Sequence, residues 1–380
     1  MESSDSSSET INLNALYCEA VSTDVFPEIP RQYALSATRL CDEVHNDGVL
    51  SCKHPYRDEY YEEGKGLDFQ NKYVKGTNSS IPFYIPIPNR DVLKLPISLP
   101  HSVTGVRLKD VFPNAVHSYQ GSLHYTSASC PDTTLTQSPV YASSTQMLFY
   151  SGPDLLIEGI NREKEEHSVY KVLQDLGISI ATSPDFSVNE GSCTYGQMVN
   201  TNRSLAVAEE MNKYGMLSVP NVFAINSYLL KLWVEYLNVN TSIGIISINC
   251  QRQRKNPRDK EVLIGYILKI LENVNRPIHI ILHGFPITQK AYLFQLKKYA
   301  CQIHFAESAP FYTVVCKFHY QTYSPVTQRL IDIEEPNKDP QIRARMIEMT
   351  IEAREQYLLD NFYRGTVCSN LVFSNILAVA

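Results

Sequence analysis

The sequence predicts an α/β protein with a TIM-barrel-like fold, incomplete or distorted, and an open doubly wound parallel sheet as the alternative. Three observations carry this. From Met147 onward, short β-rich runs alternate with amphipathic helical stretches, the pattern of a parallel sheet with crossover helices. Two of those stretches stop at Gly177 and Gly215, where a left-handed residue after the last turn is favoured. About five βα units are visible, fewer than the eight of a complete barrel, so the N-terminal region must supply strands or the sheet stays open.

The elements follow in order. Residues 1–20 read as a disordered tail, since Met1 to Thr10 is Ser/Glu-rich and has neither a basic nor an apolar leader segment. Residues 21–145 form an irregular Pro/Tyr/Ser-rich region contributing strands. Within it, the segment Ile81 to Pro88 reads as extended, at a sheet edge or wrapped over a surface and not as a central strand, because each proline removes a ladder donor and biases its predecessor toward extended geometry. Gly121 to Gln146 reads as a long loop.

The α/β core spans 146–330. Its strands are expected at Met147–Ser151, Ile178–Thr182, Leu217–Phe223, Ile243–Asn249, Ile278–Leu282, Gln302–Phe305 and Thr313–Phe318. Helices are expected near 160–176, 198–214, 226–238, 259–274 and 288–299. Residues 331–380 hold a C-terminal helix and an apolar tail, the helix capped by Asp339, opened by Pro340 and stopped at Gly365.

The 34 Lys and Arg against 40 Asp and Glu leave a formal charge of −6, which excludes a polybasic role for the whole chain and makes any nucleic-acid contact local. The nine cysteines are scattered without C-x-x-C pairs, which points to reduced thiols in a cytoplasmic protein. No apolar run approaches the ~20 residues of a membrane span, so no membrane partner is expected. Walker A, G-x-G-x-x-G, H-E-x-x-H and G-x-S-x-G motifs are all missing, and neither a cofactor nor a metal is implied.

In either architecture chemistry collects at the carboxyl ends of the strands. Asp185, in Ser183-Pro184-Asp185-Phe186-Ser187, takes such a position and is a candidate general base; as a plain loop cap it would bond the following amides instead. Asn200 and Arg203 are expected to open the next helix, where an anion is favoured, or Arg203 pairs with a carboxylate for structural reasons. Asn221 and Asn249 end the third and fourth strands. After Asn249 come Arg252, Arg254, Lys255 and Arg258, a concentrated positive loop able to neutralise phosphates or simply to be solvated. Cys250 has no base beside it and reads as an inert buried thiol. His283 ends the fifth strand, before Gly284, and Glu307 follows the sixth. A carboxylate, an imidazole and a second carboxylate on successive strand ends can converge on one pocket.

The order Pro184-Asp185-Phe186-Ser187, Asn200, Arg203, Gly215, Val219-Pro220-Asn221, Ile245-Ile246-Ser247-Ile248 and His283-Gly284 resembles an uncharacterised bacterial and phage family, domain of unknown function 4417. The resemblance covers roughly Met147 to Pro310 and implies an α/β core in a mobile-element or phage setting. It departs from that family's pattern at Leu205 and at Ala224-Ile225. A looser similarity is to tRNA-guanine transglycosylase-like barrels, which also carry an Asp at a strand end; their structural zinc cluster has no counterpart in the local Cys/His spacing.

The function expected is therefore action on, or binding of, a nucleotide or nucleic acid. Asp185, His283 and Glu307 are the candidate catalytic residues; Arg203, Asn200, Asn221, Asn249, Arg252 and Arg254 are the candidate ligand-binding residues. The alternative is a non-catalytic binding or assembly protein that keeps the α/β core as a scaffold.

Overall fold

The computed structural model describes residues 57–364 apart from 69, 77–80, 120–121, 142–143, 187, 189–193, 225 and 252–256. The expected tail at 1–20, the loop holding Arg252 and Arg254, and the stop at Gly365 lie outside the described residues. The first element is helix α1 (Arg57–Glu63). Strand β1 (Tyr84–Pro86) comes from the proline-rich segment and sits at the end of its sheet, pairing on one side only with the strand that begins at Ile303. That placement follows from its prolines, which leave one flank without donors.

Strand β2 (Val103–Arg107) runs into a short helix, α2 (Leu108–Val111). Next comes a hairpin of β3 (Val116–Tyr119) and β4 (Ser122–Tyr125), the second strand of which falls at the start of the segment read as loop from the sequence. Its residues are mostly polar and exposed, so it carries no buried face for a pattern to reveal. Strand β5 (Thr145–Phe149) is followed by two helices, α3 (Asp154–Arg162) and α4 (Val169–Asp175), where one was expected; the chain turns between them at Ser168, which adopts φ +47°. Gly177 and Gly215 take φ +78° and +81°, the left-handed stops that their positions predict.

The core then continues through β6 (Ile178–Thr182), α5 (Thr194–Lys213), β7 (Leu217–Val219) and α6 (Ser227–Val239). After these come β8 (Ile245–Asn249), α7 (Pro257–Asn273), β9 (His279–His283), α8 (Lys290–Leu296) and β10 (Ile303–Glu307). The strand expected at Thr313–Phe318 is instead helix α9 (Ala309–Lys317), with Pro310 in its first turn and Phe311 and Val314 turned inward. Its β-branched residues favour a strand, but the proline start and the burial of one helical face override that preference. An antiparallel pair, β11 (His319–Ser324) and β12 (Arg329–Glu334), leads to helix α10 (Pro340–Leu358) and a π-helical turn at Leu359–Tyr363. The Asp339 carboxylate accepts from the Gln341 and Ile342 amides at 2.8 and 3.1 Å, the cap its position predicts.

Eight strands form two parallel four-stranded sheets, ordered β1-β10-β9-β8 and β2-β5-β6-β7. A parallel bridge between Asn221 and Ser247, with Val222 N donating to Ser247 O at 2.7 Å, ties the end of β7 to β8. Strand β1 also lies against β2. Alternation sends one side of every strand to an inner apolar cluster, which includes Ile85, Val103, Met147, Ile180, Val219, Ile245, Ile281 and Ala306, one from each of the eight. A Cβ on Gly105 would come within 2.6 Å of Ile87, just past β1, and 2.9 Å of Phe149 on β5, so only glycine lets these two side chains meet over β2. The opposite sides pack under the helices in a larger cluster. No helix among the described residues is long and apolar enough to cross a membrane.

Candidate active site at the carboxyl ends of the strands

Parallel register places Asn249 opposite His283 on β8 and β9. Both lie two residues beyond another inward position, Ser247 and Ile281, so both face inward at the carboxyl end. The Asn249 side chain donates from Nδ2 to Asp185 Oδ2 at 2.6 Å and accepts the Gln251 amide at Oδ1, 3.0 Å away. Gln251 in turn donates from Nε2 to His283 Nε2 at 2.8 Å. That bond leaves the ring neutral, with its proton on Nδ1. The Phe149 ring lies 4.5 Å from the imidazole. Asp185, Asn249, Gln251 and His283 are therefore one hydrogen-bonded chain, in which Asp185 is partly open to solvent and His283 is buried.

The loop carrying Asp185 is held from helix α5. Ser204 donates to the Pro184 carbonyl at 2.7 Å, and Ser183 shares a 2.7 Å bond with the same hydroxyl. Phe186 packs 4.0 Å from the Arg203 guanidinium, whose other face meets Tyr60 at 3.8 Å. Arg203 is fully buried and engaged: Nε donates to Glu63 at 2.7 Å, Nη1 to Glu158 and Asn200 at 2.9 and 3.0 Å, and Nη2 to Glu158 at 2.6 Å. Burial opposes its charge, but Glu158 and Glu63 outweigh that and raise its pKa. Because α5 begins at Thr194, Asn200 and Arg203 lie beyond its first turn, where amides are bonded within the helix, and not at the open end expected from the sequence.

Glu307 goes elsewhere. Ala306 belongs to the inner cluster, so the next residue projects outward, where Tyr84 donates to Glu307 at 2.9 Å and Arg354 of α10 clasps it at 2.5 and 2.6 Å. The expected convergence thus brings together Asp185 and His283 and leaves Glu307 under the C-terminal helix. Asn221 reaches the site by its bridge to Ser247; it is 8% exposed, and among the described residues its side-chain amide has no hydrogen-bond partner. Cys250 is a buried thiol 3.5 Å from the Ile248 carbonyl.

Three participants escaped the sequence reading. Gln251 looked like one polar residue in a charged loop. Tyr266 of α7 is buried with an unpartnered hydroxyl, and burial, Cys250 and Asp185 all push its pKa up. Arg107 ends β2 on the inner side, two residues past Gly105 and opposite Phe149. The signal for it was the alternation Val103, Gly105, Arg107, legible only once β2 is known to be a strand.

Among the described residues no group of three or more His, Cys, Asp or Glu side chains is arranged to hold a metal. No protein-family model, curated protein or solved structure matches the chain. The chemistry of the site therefore rests on its own geometry. A carboxylate oriented by an amide, beside a neutral imidazole held by a second amide, can accept a proton from a bound ligand and hold that ligand by directional hydrogen bonds.

Proposed function

We propose that the eight parallel strands close into a TIM-barrel-like ring and that the chain acts on a nucleotide at its mouth, with Asp185 as general base. The inner cluster drawn from all eight strands and the β7 to β8 bridge support the ring. The observation that carries the function is the chain from Asp185 through Asn249 and Gln251 to His283 at the carboxyl ends of the strands. Its amides and carboxylate match the donor and acceptor edge of a nitrogen heterocycle, with the open Asn221 amide beside them and the Phe149 and His283 rings as flat apolar surface.

The test is calorimetric binding and turnover with a panel of nucleoside monophosphates. Asp185→Asn keeps the shape and removes the base, so turnover should fall by at least about 100-fold while the ligand still binds. His283→Gln should weaken binding as well. Absence of nucleotide binding, or an Asp185→Asn variant as active as the parent chain, would overturn the reading.

A further inference from the structure

We infer that Arg107, clamped by Asp110, is the phosphate-binding residue of this mouth; the inference rests on the nucleotide reading above. Arg107 donates from Nε and Nη2 to the two Asp110 oxygens at 2.5 and 2.8 Å. This engages one edge of the guanidinium, and among the described residues Nη1 makes no hydrogen bond. The carboxylate is buried, its side chain 4% exposed, whereas the arginine side chain is 21% exposed. The pair is therefore a fixed fork with its back in the protein and one edge open.

Position decides what that edge meets. Arg107 is the ladder partner of Phe149, and the Phe149 ring touches His283. By register, the Arg107 side chain therefore leaves β2 on the same inner side, and at the same carboxyl end, as the side chains of Asn249 and His283 leave β8 and β9. Arg203, a fully buried arginine near the site, is closed by Glu63 and Glu158 and has no such edge. A planar guanidinium with unengaged N–H groups matches tetrahedral oxyanions in paired hydrogen bonds, and the Asp110 clamp has already restricted its rotamers. A phosphate at Arg107 and a heterocycle at Asn221 and Asp185 would lie on either side of Phe149, which is the layout a nucleotide needs.

The experiment is titration calorimetry of the full chain with inorganic phosphate at constant ionic strength, with acetate as a carboxylate control. The parent chain should bind phosphate and not acetate. Arg107→Lys keeps the charge but cannot serve Asp110 and the ligand together, so phosphate affinity should drop about tenfold or more. The paired variant Arg107→Gln with Asp110→Asn removes the site without stranding a buried carboxylate, and binding should vanish. Asp185→Asn should bind phosphate as the parent does, so failure of the acid–base reading registers separately from failure of this one. No phosphate binding below about 10 mM, equal binding of acetate, or unchanged affinity in either Arg107 variant would overturn the assignment.

Discussion

Single imidazoles in this chain have their protons placed by their neighbours, and His304 is the clearest case. Its Nδ1 donates to the Pro82 carbonyl at 2.9 Å, so its Nε2 must accept from His279 Nδ1, 2.7 Å away. The two rings are stacked, with centroids 5.0 Å apart, and burial lowers the pKa of both. Burial and then the neighbouring His279 push the His304 pKa down to about 3. A histidine in the unfolded chain titrates near 6.5, so between these values the unfolded state carries the extra proton. The stability from keeping His304 neutral is present above about pH 6.5 and drains away as the pH falls toward 3, by about 1.4 kcal/mol per pH unit. Urea unfolding of the parent chain and of His304→Gln at pH 7, 6, 5 and 4 should differ in slope by that amount; parallel curves would contradict it. At this scale the site residues were legible where they end a strand on its inner side, as Asn249 and His283 do, or follow one within three residues, as Asp185 follows Thr182. Glu307 was not, because a step of one residue reverses the face and its strand runs two residues past the expected end at Phe305.

Between elements, the C-terminal helix is attached by the buried pair of Arg354 on α10 and Glu307 on β10, extended by Tyr84 of β1 and by Gln321 of β11, which accepts from Arg354 at 2.7 Å. Removing one partner strands the other charge in a medium that cannot solvate it, whereas removing both leaves only the neutral Tyr84 hydroxyl and Gln321 amide without these partners, a smaller cost. Arg354→Met should therefore cost about 3–5 kcal/mol, and Arg354→Met combined with Glu307→Leu should recover most of it. Chemical denaturation of the three chains measures this, and a double variant as unstable as the single one would refute it. The helix itself was readable from Asp339 and Pro340, whose capping chemistry is local. Helix α9 was not, since Thr313, Val314 and Val315 have strand preferences and only the packing of Phe311 and Val314 decides otherwise. The same limit applies to α3 and α4, which share one apolar period and are parted by a turn.

At the scale of the whole molecule, the change of texture near residue 146 marks a change in regularity, and the sheets run across it. Strand β1 covers the edge of β10, and β2 covers the edge of β5. A chain beginning at Gln146 would lose both covers together with Ile85, Ile87 and Val103 from the inner cluster. At about 2 kcal/mol for each buried aliphatic side chain, those three alone amount to about 6 kcal/mol. That is comparable to the entire stability of an ordinary domain, before the outer-side losses of Phe83, Tyr84 and Val106 are counted. Two newly bare parallel edges, each apolar on both faces, are also templates for pairing between chains. The 146–380 chain should therefore aggregate on expression, while a chain spanning 57–364 should stay monodisperse and melt cooperatively. Size-exclusion chromatography and thermal melts of the two separate the outcomes. A soluble 146–380 chain with a single sharp transition would mean that β1 and β2 only decorate a sheet that stands without them.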